Sequence, residues 1–446
     1  MIYDLVIIGA GSAGYVGAIK AAQLSKNVLI IEKDKIGGTC LNKGCIPTKT
    51  LLHGAKIVHS QRHFSTLGLD GTITFDQELM NNHKNQLVQK LTDGIESLLT
   101  GNQVVIKKGH ARILNEHLIE LDGEQIETNY ILIASGASTR RMSNTFSSDE
   151  ILDFGDKKFK ELVIIGGGVI GCELASLYQY LGTKVTLLEA ENRILSPFDK
   201  EISQNLTMIF KRNQINVLTQ VSDISVENNS VTFTHRDSQQ TIQADGVIAA
   251  IGRVATEVES QIPIKFDRRY TVNNSLQTSI PNIYAVGDCS STIQLAHLAS
   301  AQAIAAVEHM FTGEIHGDLS TVPSVVYTSP EIASVGMTQV DDDSRYKVGK
   351  YTLNGHGYTM IHQQQRSFVK LIVDKETHCL VGASLMCENA GELISLLTHF
   401  IREKLPVHKL KELVYPHPSF IEAIQEAVNS LEDEAIHIMP KKIVIR

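Results

Sequence analysis

The sequence predicts an α/β fold built around two copies of one strand–turn–helix–strand unit. Two observations predict it: a glycine-rich pattern that occurs twice, and a length of 446 residues, too great for one hydrophobic core. Apolar residues make up 43% and charged residues 20%, the balance of an ordinary globular chain. The formal net charge is −8 and no basic run stands out, which argues against a nucleic-acid partner or an anionic membrane surface. No stretch is long and apolar enough to span a bilayer. The start, Met1-Ile2-Tyr3-Asp4, lacks the basic region of a signal peptide and leads straight into a buried strand. Six cysteines in so long a chain are no disulfide framework. The expected compartment is the cytoplasm, where a disulfide is usually transient and catalytic.

In the first copy, the apolar run Tyr3 to Ile8 leads into Gly9-Ala10-Gly11-Ser12-Ala13-Gly14 and an Ala-rich helical stretch to about Leu24. A second apolar run, Asn27 to Ile31, ends on Glu32. In the second copy, Leu162 to Ile165 leads into Gly166-Gly167-Gly168-Val169-Ile170-Gly171 and a helical stretch to about Leu181. Val185 to Leu188 then ends on Glu189. Glu32 lies 18 residues beyond Gly14, and Glu189 stands at the same distance from Gly171. A glycine triplet alone is a weak signal. Two triplets, each between a strand and a helix and each followed by an acid at the next strand's end, form the dinucleotide fingerprint. The first glycine permits the tight turn, the second lets backbone approach a pyrophosphate, and the third lets helix and strand pack closely. The pyrophosphate sits at a helix N-terminus, and the acid accepts hydrogen bonds from a ribose 2′-OH. Two such units imply two dinucleotides, or one nucleotide cofactor used twice. Glu189 favours NAD over NADP, because a carboxylate repels a 2′-phosphate; Ala190 and Ser196 offer no offsetting charge, and Arg193 is the cation nearby.

Directly after the first unit comes Gly37-Gly38-Thr39-Cys40-Leu41-Asn42-Lys43-Gly44-Cys45-Ile46-Pro47-Thr48-Lys49. A zinc knuckle places its cysteines closer and needs a second pair, which is lacking. Cys172, Cys289, Cys379 and Cys387 are scattered and read as small buried apolar residues. At the spacing of Cys40 and Cys45 two sulfurs can meet across one distorted helical turn. Pro47 suits an early helical position, so Cys45 is expected near a helix N-terminus, where a thiolate is favoured.

The segment Gly37 to Lys49 resembles the redox-active motif of the pyridine nucleotide–disulfide oxidoreductases with a dithiol active site. The likeness is strongest to the branch that oxidises dihydrolipoyl groups, and it extends along nearly the whole chain. Ile133-Ala134-Ser135-Gly136-Ala137 is similar to the turn ending the family's first FAD segment. Ala250-Ile251-Gly252-Arg253 resembles the segment closing the NAD domain. Ile283-Tyr284-Ala285-Val286-Gly287-Asp288 resembles the second FAD motif, whose acid binds the ribityl chain, and Leu295-Ala296-His297 follows as expected. Tyr327-Thr328-Ser329-Pro330-Glu331 resembles the start of the interface domain, and His417-Pro418-Ser419-Phe420-Ile421-Glu422 the family's His–Glu motif.

The resemblance implies two Rossmann-like dinucleotide-binding domains, for FAD and NAD, plus a C-terminal α+β dimerisation domain. Residues 1–145 and 263–317 would form the FAD domain, 146–262 the NAD domain and 318–446 the interface domain. Cys40 would be the interchange thiol and Cys45 the charge-transfer thiolate beside the flavin. Lys49, paired with Glu173, would lie near the flavin's reactive edge. His417, oriented by Glu422, would be the acid–base acting on the disulfide of the other subunit of a homodimer. Such chemistry needs a thiolate and a base that titrates near neutrality, with a carboxylate to fix the imidazole tautomer. On the FAD side the resemblance adds Ser12, Lys33, Gly38, Thr39 and Ala111 to the glycines and Glu32. On the NAD side it adds Val169 and Ile170. No metal is expected.

The implied reaction is oxidation of dihydrolipoyl groups, on a carrier domain of a 2-oxoacid dehydrogenase-type complex or as a small dithiol, with reduction of NAD⁺. Alternatives are an NAD(P)H-dependent reductase of another disulfide, glutathione-reductase-like or mercuric-reductase-like, and a non-catalytic redox sensor that kept the fold. Val169 stands where glutathione-type reductases carry a tyrosine, and the terminal stretch Pro440 to Arg446 has no vicinal cysteines, which disfavours a mercuric reductase. With no domain ahead of the first strand, no lipoyl group is expected in cis. Lys43, Tyr415 and Leu298 to Gln302 depart from the lipoamide pattern and bear on substrate and partner. Among quieter segments, Asp76 to Thr100 reads as an amphipathic helix covering the core with Leu79, Leu87, Leu91, Ile95 and Leu98. Asp341-Asp342-Asp343 reads as a solvated turn, and His53, His59, His63 and His83 have no metal-ligand spacing.

Overall fold

A strand apolar at nearly every position has no face to give to water and belongs inside a sheet covered on both sides. β1 (Tyr3–Ile8) is such a strand, with Leu5, Val6, Ile7 and Ile8 all buried. The computed structural model describes residues 2–153, 158–341 and 344–439. Met1, Asp342 and Asp343 of the acidic turn, and the terminal stretch from Pro440 lie outside the described residues.

Two compact units emerge: Met1–Phe159 with Gly246–Leu319, and Lys160–Asp245 with Ser320–Arg446. In the first, β1 pairs in parallel with β2 (Val28–Glu32) on one side and with Glu124–Ile133 on the other. Parallel pairing extends outward to Val105–Lys108 and Ile283–Ala285. The strand Glu124–Ile133 changes partners along its length. Its first half pairs antiparallel with Leu118–Leu121, and its second half carries the parallel sheet. The crossover from β1 to β2 is α1 (Ser12–Gln23), which buries the small residues Ala13, Gly14, Gly17, Ala18 and Ala21. Small side chains there let α1 lie close to the sheet and to the helix Ala296–Thr312.

The second unit repeats the motif with Glu161–Ile165, the helix Val169–Tyr180 and Lys184–Leu188, in parallel with Asn216–Leu218. It also holds an antiparallel sheet ordered Ser324–Val326, Ile332–Gly336, Leu380–Met386, Phe368–Asp374, Tyr346–Thr352. The helices Ala390–Arg402 and Ala423–Asn429 pack on that sheet. The architecture is mixed α/β, and among the described residues no helix is long and apolar enough to cross a membrane.

Two expectations need correction. The helix Gln77–Gly101 forms, capped by the Asp76 carboxylate accepting from the Leu79 N–H at 3.0 Å, but only part of its expected apolar stripe is covered. Asn81, Lys84, Thr92 and Leu99 are buried, Ile95 packs against the core and Leu87 is half-buried, while Leu79, Leu91 and Leu98 are exposed. On the buried side the Lys84 ammonium reaches the Leu152 carbonyl and the Asp153 carboxylate, partners that make a buried charge tolerable. Cys379 is only half-buried, at a strand start, whereas Cys172, Cys289 and Cys387 are buried.

Candidate active site

The two glycine turns are built alike. Gly9 and Gly166 take φ +103° and +108°, a region open to glycine, and donate to the Ile31 and Leu188 carbonyls at 2.8 and 2.7 Å. A Cβ on Gly14 would stand 1.8 Å from the Gly9 oxygen, and one on Gly171 at the same distance from the Gly166 oxygen, so only glycine permits these helix–strand approaches. Gly11 and Gly168 head their helices in extended conformation without a side-chain cap, leaving first-turn N–H groups for an anion. A Cβ on Gly168 would meet nothing within 4 Å, and one on Gly11 only the Gly38 Cα at 3.8 Å. Such cradles fit a dinucleotide pyrophosphate. Each terminal acid grips its own turn. Glu32 accepts from the Ala10 and Asp34 N–H groups at 2.6 and 2.8 Å, and Glu189 from those of Gly167 and Glu191 at 2.5 and 2.7 Å. A carboxylate has about four acceptor sites, so capacity remains for a ribose hydroxyl. The Arg193 guanidinium donates to the Ser196 and Phe198 carbonyls at 2.6 and 3.0 Å and is thereby committed to its own loop.

The redox segment forms two helices, α2 (Gly38–Lys43) and α3 (Cys45–Ser60), broken at Gly44 with φ −142° and ψ −106°. Cys40 and Cys45 are disulfide-bonded across this break, with Cα atoms 4.7 Å apart. Cys45 is the first residue of α3, where the helix end favours a thiolate once the bond opens. Pro47 follows within the first turn, where no helical carbonyl needs its missing N–H. The segment docks on the first glycine turn: the Gly37 N–H donates to the Ala10 carbonyl at 2.8 Å, and a Cβ on Gly38 would lie 2.6 Å from the Gly11 Cα. Lys43 pairs with Asp34 at 2.6 Å, and that hydrogen bond pushes the lysine up and the carboxyl down from their usual values.

Around this motif, Arg253 donates to Asp149 at 2.8 Å, to the Ala137 carbonyl at 2.7 Å and to Thr39 Oγ1 at 3.3 Å, while its Nε is buried with no hydrogen-bond partner among the described residues. Ser135 donates to the Thr256 carbonyl at 2.6 Å, beside Gly136 in the turn that ends Glu124–Ile133. Gly252 precedes the strand Arg253–Ala255, which pairs with Ala137–Thr139, so this segment belongs to the first unit. The Gly287 N–H donates to Gln302 at 2.8 Å, and burial pushes the neighbouring Asp288 carboxyl up against the pull of Arg253. Ala111 is buried at a strand start, Lys33 is exposed beyond β2, and Leu295, Ala296 and His297 open the helix Ala296–Thr312. Lys49 is half-buried in α3.

In the second unit Val169 and Ile170 form the first turn of Val169–Tyr180, and buried Glu173 on that helix accepts from the Tyr327 N–H at 3.0 Å. His417 Nδ1 lies 2.7 Å from Glu422 Oε2, the hydrogen bond the sequence motif anticipates. Glu422 Oε1 also accepts from His356 Nε2 at 3.0 Å and from the Ser419 N–H at 3.2 Å. Burial raises the Glu422 carboxyl, but the bonds from His417, Ser419 and His356 together outweigh it and hold the group below its usual value. His356 was not among the anticipated residues. Its only local signal is the spacing His356-Gly357-Tyr358-Thr359, an N-cap pattern. Asp149 and Gln302 were likewise not anticipated.

The family model for pyridine nucleotide-disulphide oxidoreductase matches residues 3–303, and that for the family's dimerisation domain matches residues 322–428. The chain belongs to the pyridine nucleotide–disulphide oxidoreductase family. This oxidoreductase is 34% identical to the dihydrolipoyl dehydrogenase of Bacillus subtilis (strain 168), over 97% of the chain and 99% of the relative. It is 35% identical to that of Chlamydia pneumoniae, over 98% and 99%. Among solved structures it resembles the HOCl-induced flavoprotein disulfide reductase RclA from Escherichia coli, with a TM-score of 0.83 and 27% identity over 96% of the chain and 99% of that structure. It is an FAD-dependent disulfide oxidoreductase, with FAD and NAD as cofactors and the family's dimerisation domain at its C-terminal side.

Proposed function

We propose that the enzyme oxidises protein-bound dihydrolipoyl groups and reduces NAD⁺, working in the cytoplasm as a homodimer in which His417 of one copy serves the Cys40–Cys45 disulfide of the other. The observation that carries this reading is a chain holding both a disulfide at a helix N-terminus and a carboxylate-oriented histidine. Glu422 accepts from Nδ1 of His417, which leaves Nε2 as the basic nitrogen. In the first step His417 takes a proton from one substrate thiol. The thiolate attacks Cys40 Sγ, the Cys40–Cys45 bond breaks, and Cys45 leaves as a thiolate held at the start of α3. The second substrate thiolate then attacks the substrate sulfur of the mixed disulfide, which closes the substrate disulfide and frees Cys40. Two electrons pass to the cysteine pair, and the protons go to His417 and solvent. Bound FAD supplies the two-electron relay that lets NAD⁺ reoxidise the pair.

In this reading FAD is held by residues 1–145 and 263–317 through Gly9, Gly11, Gly14, Glu32 and Asp288. NAD is held within 146–262 through Gly166, Gly168, Gly171 and Glu189. Lys49 and Glu173 keep the roles the resemblance gives them. Arg193, turned to its own loop, supports NAD over NADP, since it is not set to receive a 2′-phosphate. A second reading, an NAD(P)H-dependent reductase of another disulfide, is favoured by the likeness to RclA.

The test is NAD⁺ reduction by dihydrolipoamide with FAD-loaded enzyme, beside NADP⁺ and a Cys40→Ser variant. Turnover with NAD⁺ that is lost in the variant is expected. No turnover, with rapid NADH-driven reduction of some other disulfide, would replace this reading with the second.

A further inference from the structure

We propose that His356 is a positioning residue that fixes the plane of the Glu422 carboxylate and thereby aims His417; this rests on the role given to His417 above. Within its own chain the side chain of His417 is 79% exposed, so packing inside its own subunit does little to hold its ring. Its direction is inherited from Glu422 Oε2, at 2.7 Å. One bond to one oxygen leaves a carboxylate free to swing about its terminal torsion. What stops the swing lies on the other oxygen: Oε1 is held by His356 Nε2 at 3.0 Å and by the Ser419 N–H at 3.2 Å.

His356 is suited to act as that anchor. It is 7% exposed and set between Tyr351 and Phe420, with ring centroids 6.2 Å from each. Its Nδ1 accepts from the Thr359 N–H at 3.4 Å and lies 2.9 Å from the Thr359 hydroxyl. An imidazole that accepts at Nδ1 carries its proton at Nε2, and Nε2 faces Glu422. Thr359 thus selects the His356 tautomer, His356 fixes Glu422, and Glu422 selects the His417 tautomer that is basic at Nε2. The plainer role, capping the short helix Gly357–Ile361, uses only the Nδ1 side of the ring. Two substitutions separate the roles. Asn is a strong cap but too short to reach Glu422. Gln can place an amide N–H near the position of Nε2 but loses the cap.

The experiment follows opening of the Cys40–Cys45 disulfide in FAD-loaded enzyme by dithiothreitol, quenched by alkylation and counted by mass at each cysteine. NADH-driven flavin reduction is read in parallel. His356→Asn and His356→Leu are expected to slow disulfide opening about tenfold relative to NADH-driven flavin reduction, as a misaimed base does. His356→Gln is expected to restore most of the rate, and His356→Leu to slow a Glu422→Gln enzyme no further. Should the Leu variant fail to fold, the Asn and Gln pair decides alone. An Asn variant as fast as the parent, or a Leu effect that adds to Glu422→Gln, would reduce His356 to a cap and overturn the proposal. Dithiothreitol needs no lipoyl recognition. If dihydrolipoamide proves not to be a substrate while these ratios hold, the substrate reading fails and the positioning role stands. If His417→Gln opens as fast as the parent, both fall.

Discussion

Gly168 heads its helix at φ −73° and ψ −171°, a conformation alanine adopts freely, and a Cβ there would meet no protein atom within 4 Å. Nothing in the fold requires glycine at this position, so the requirement must come from what binds. Gly168→Ala is therefore expected to change unfolding stability by less than about 0.5 kcal/mol while raising KM for NAD⁺ about tenfold or more. Thermal unfolding beside steady-state kinetics checks it, and an unchanged KM would remove the dinucleotide from this turn. The glycine triplets and their acids were legible in the sequence because their constraint is local: backbone sterics within a few residues, and one strand's length to the acid. His356 was not legible, because its partner Glu422 is 66 residues away and only the fold joins them.

The elements that carry the chemistry were readable where backbone chemistry marks them. Pro47 announces the early turn of α3 and Cys45 falls where it puts it, while the break between α2 and α3 at Gly44 is seen only in the fold. The helix Gln77–Gly101 was readable in extent but only in part in orientation. Leucine spacing found Ile95 and Leu87 on the covered side but also took in exposed Leu79, Leu91 and Leu98, and it missed the buried Lys84 with its partners at Leu152 and Asp153. α3 also carries a titration. Burial, and then the nearby charges of Arg62 and His63, depress His59 from 6.5 to about 4. A histidine with a depressed folded pKa is protonated first in the unfolded chain. Its contribution is intact above pH 6.5 and is lost as pH falls from there toward about 4. His59→Gln is expected to flatten the fall of melting temperature across that window. An unchanged slope would mean that α3 does not exclude the charged form.

Across the whole molecule, the doubled βαβ unit was the most legible feature, because a repeat needs no knowledge of distant contacts. The boundaries expected from the sequence fall at 145, 262 and 317, and the compact units divide after Phe159, Asp245 and Leu319. The pairing of Ala137–Thr139 with Arg253–Ala255 joins part of the stretch 246–262 to the first unit. No pattern in the chain announces such short strand pairs. The claim on which the rest depends is that the Cys40–Cys45 disulfide is the enzyme's electron store. The measurement that tests it is anaerobic addition of NADH to FAD-loaded enzyme, followed by alkylation and mass analysis of each cysteine. NADH-dependent labelling of both Cys40 and Cys45, with buried Cys172, Cys289 and Cys387 unlabelled in the folded enzyme, is the expected result. Flavin bleaching by NADH with Cys40 and Cys45 still protected from alkylation would contradict it.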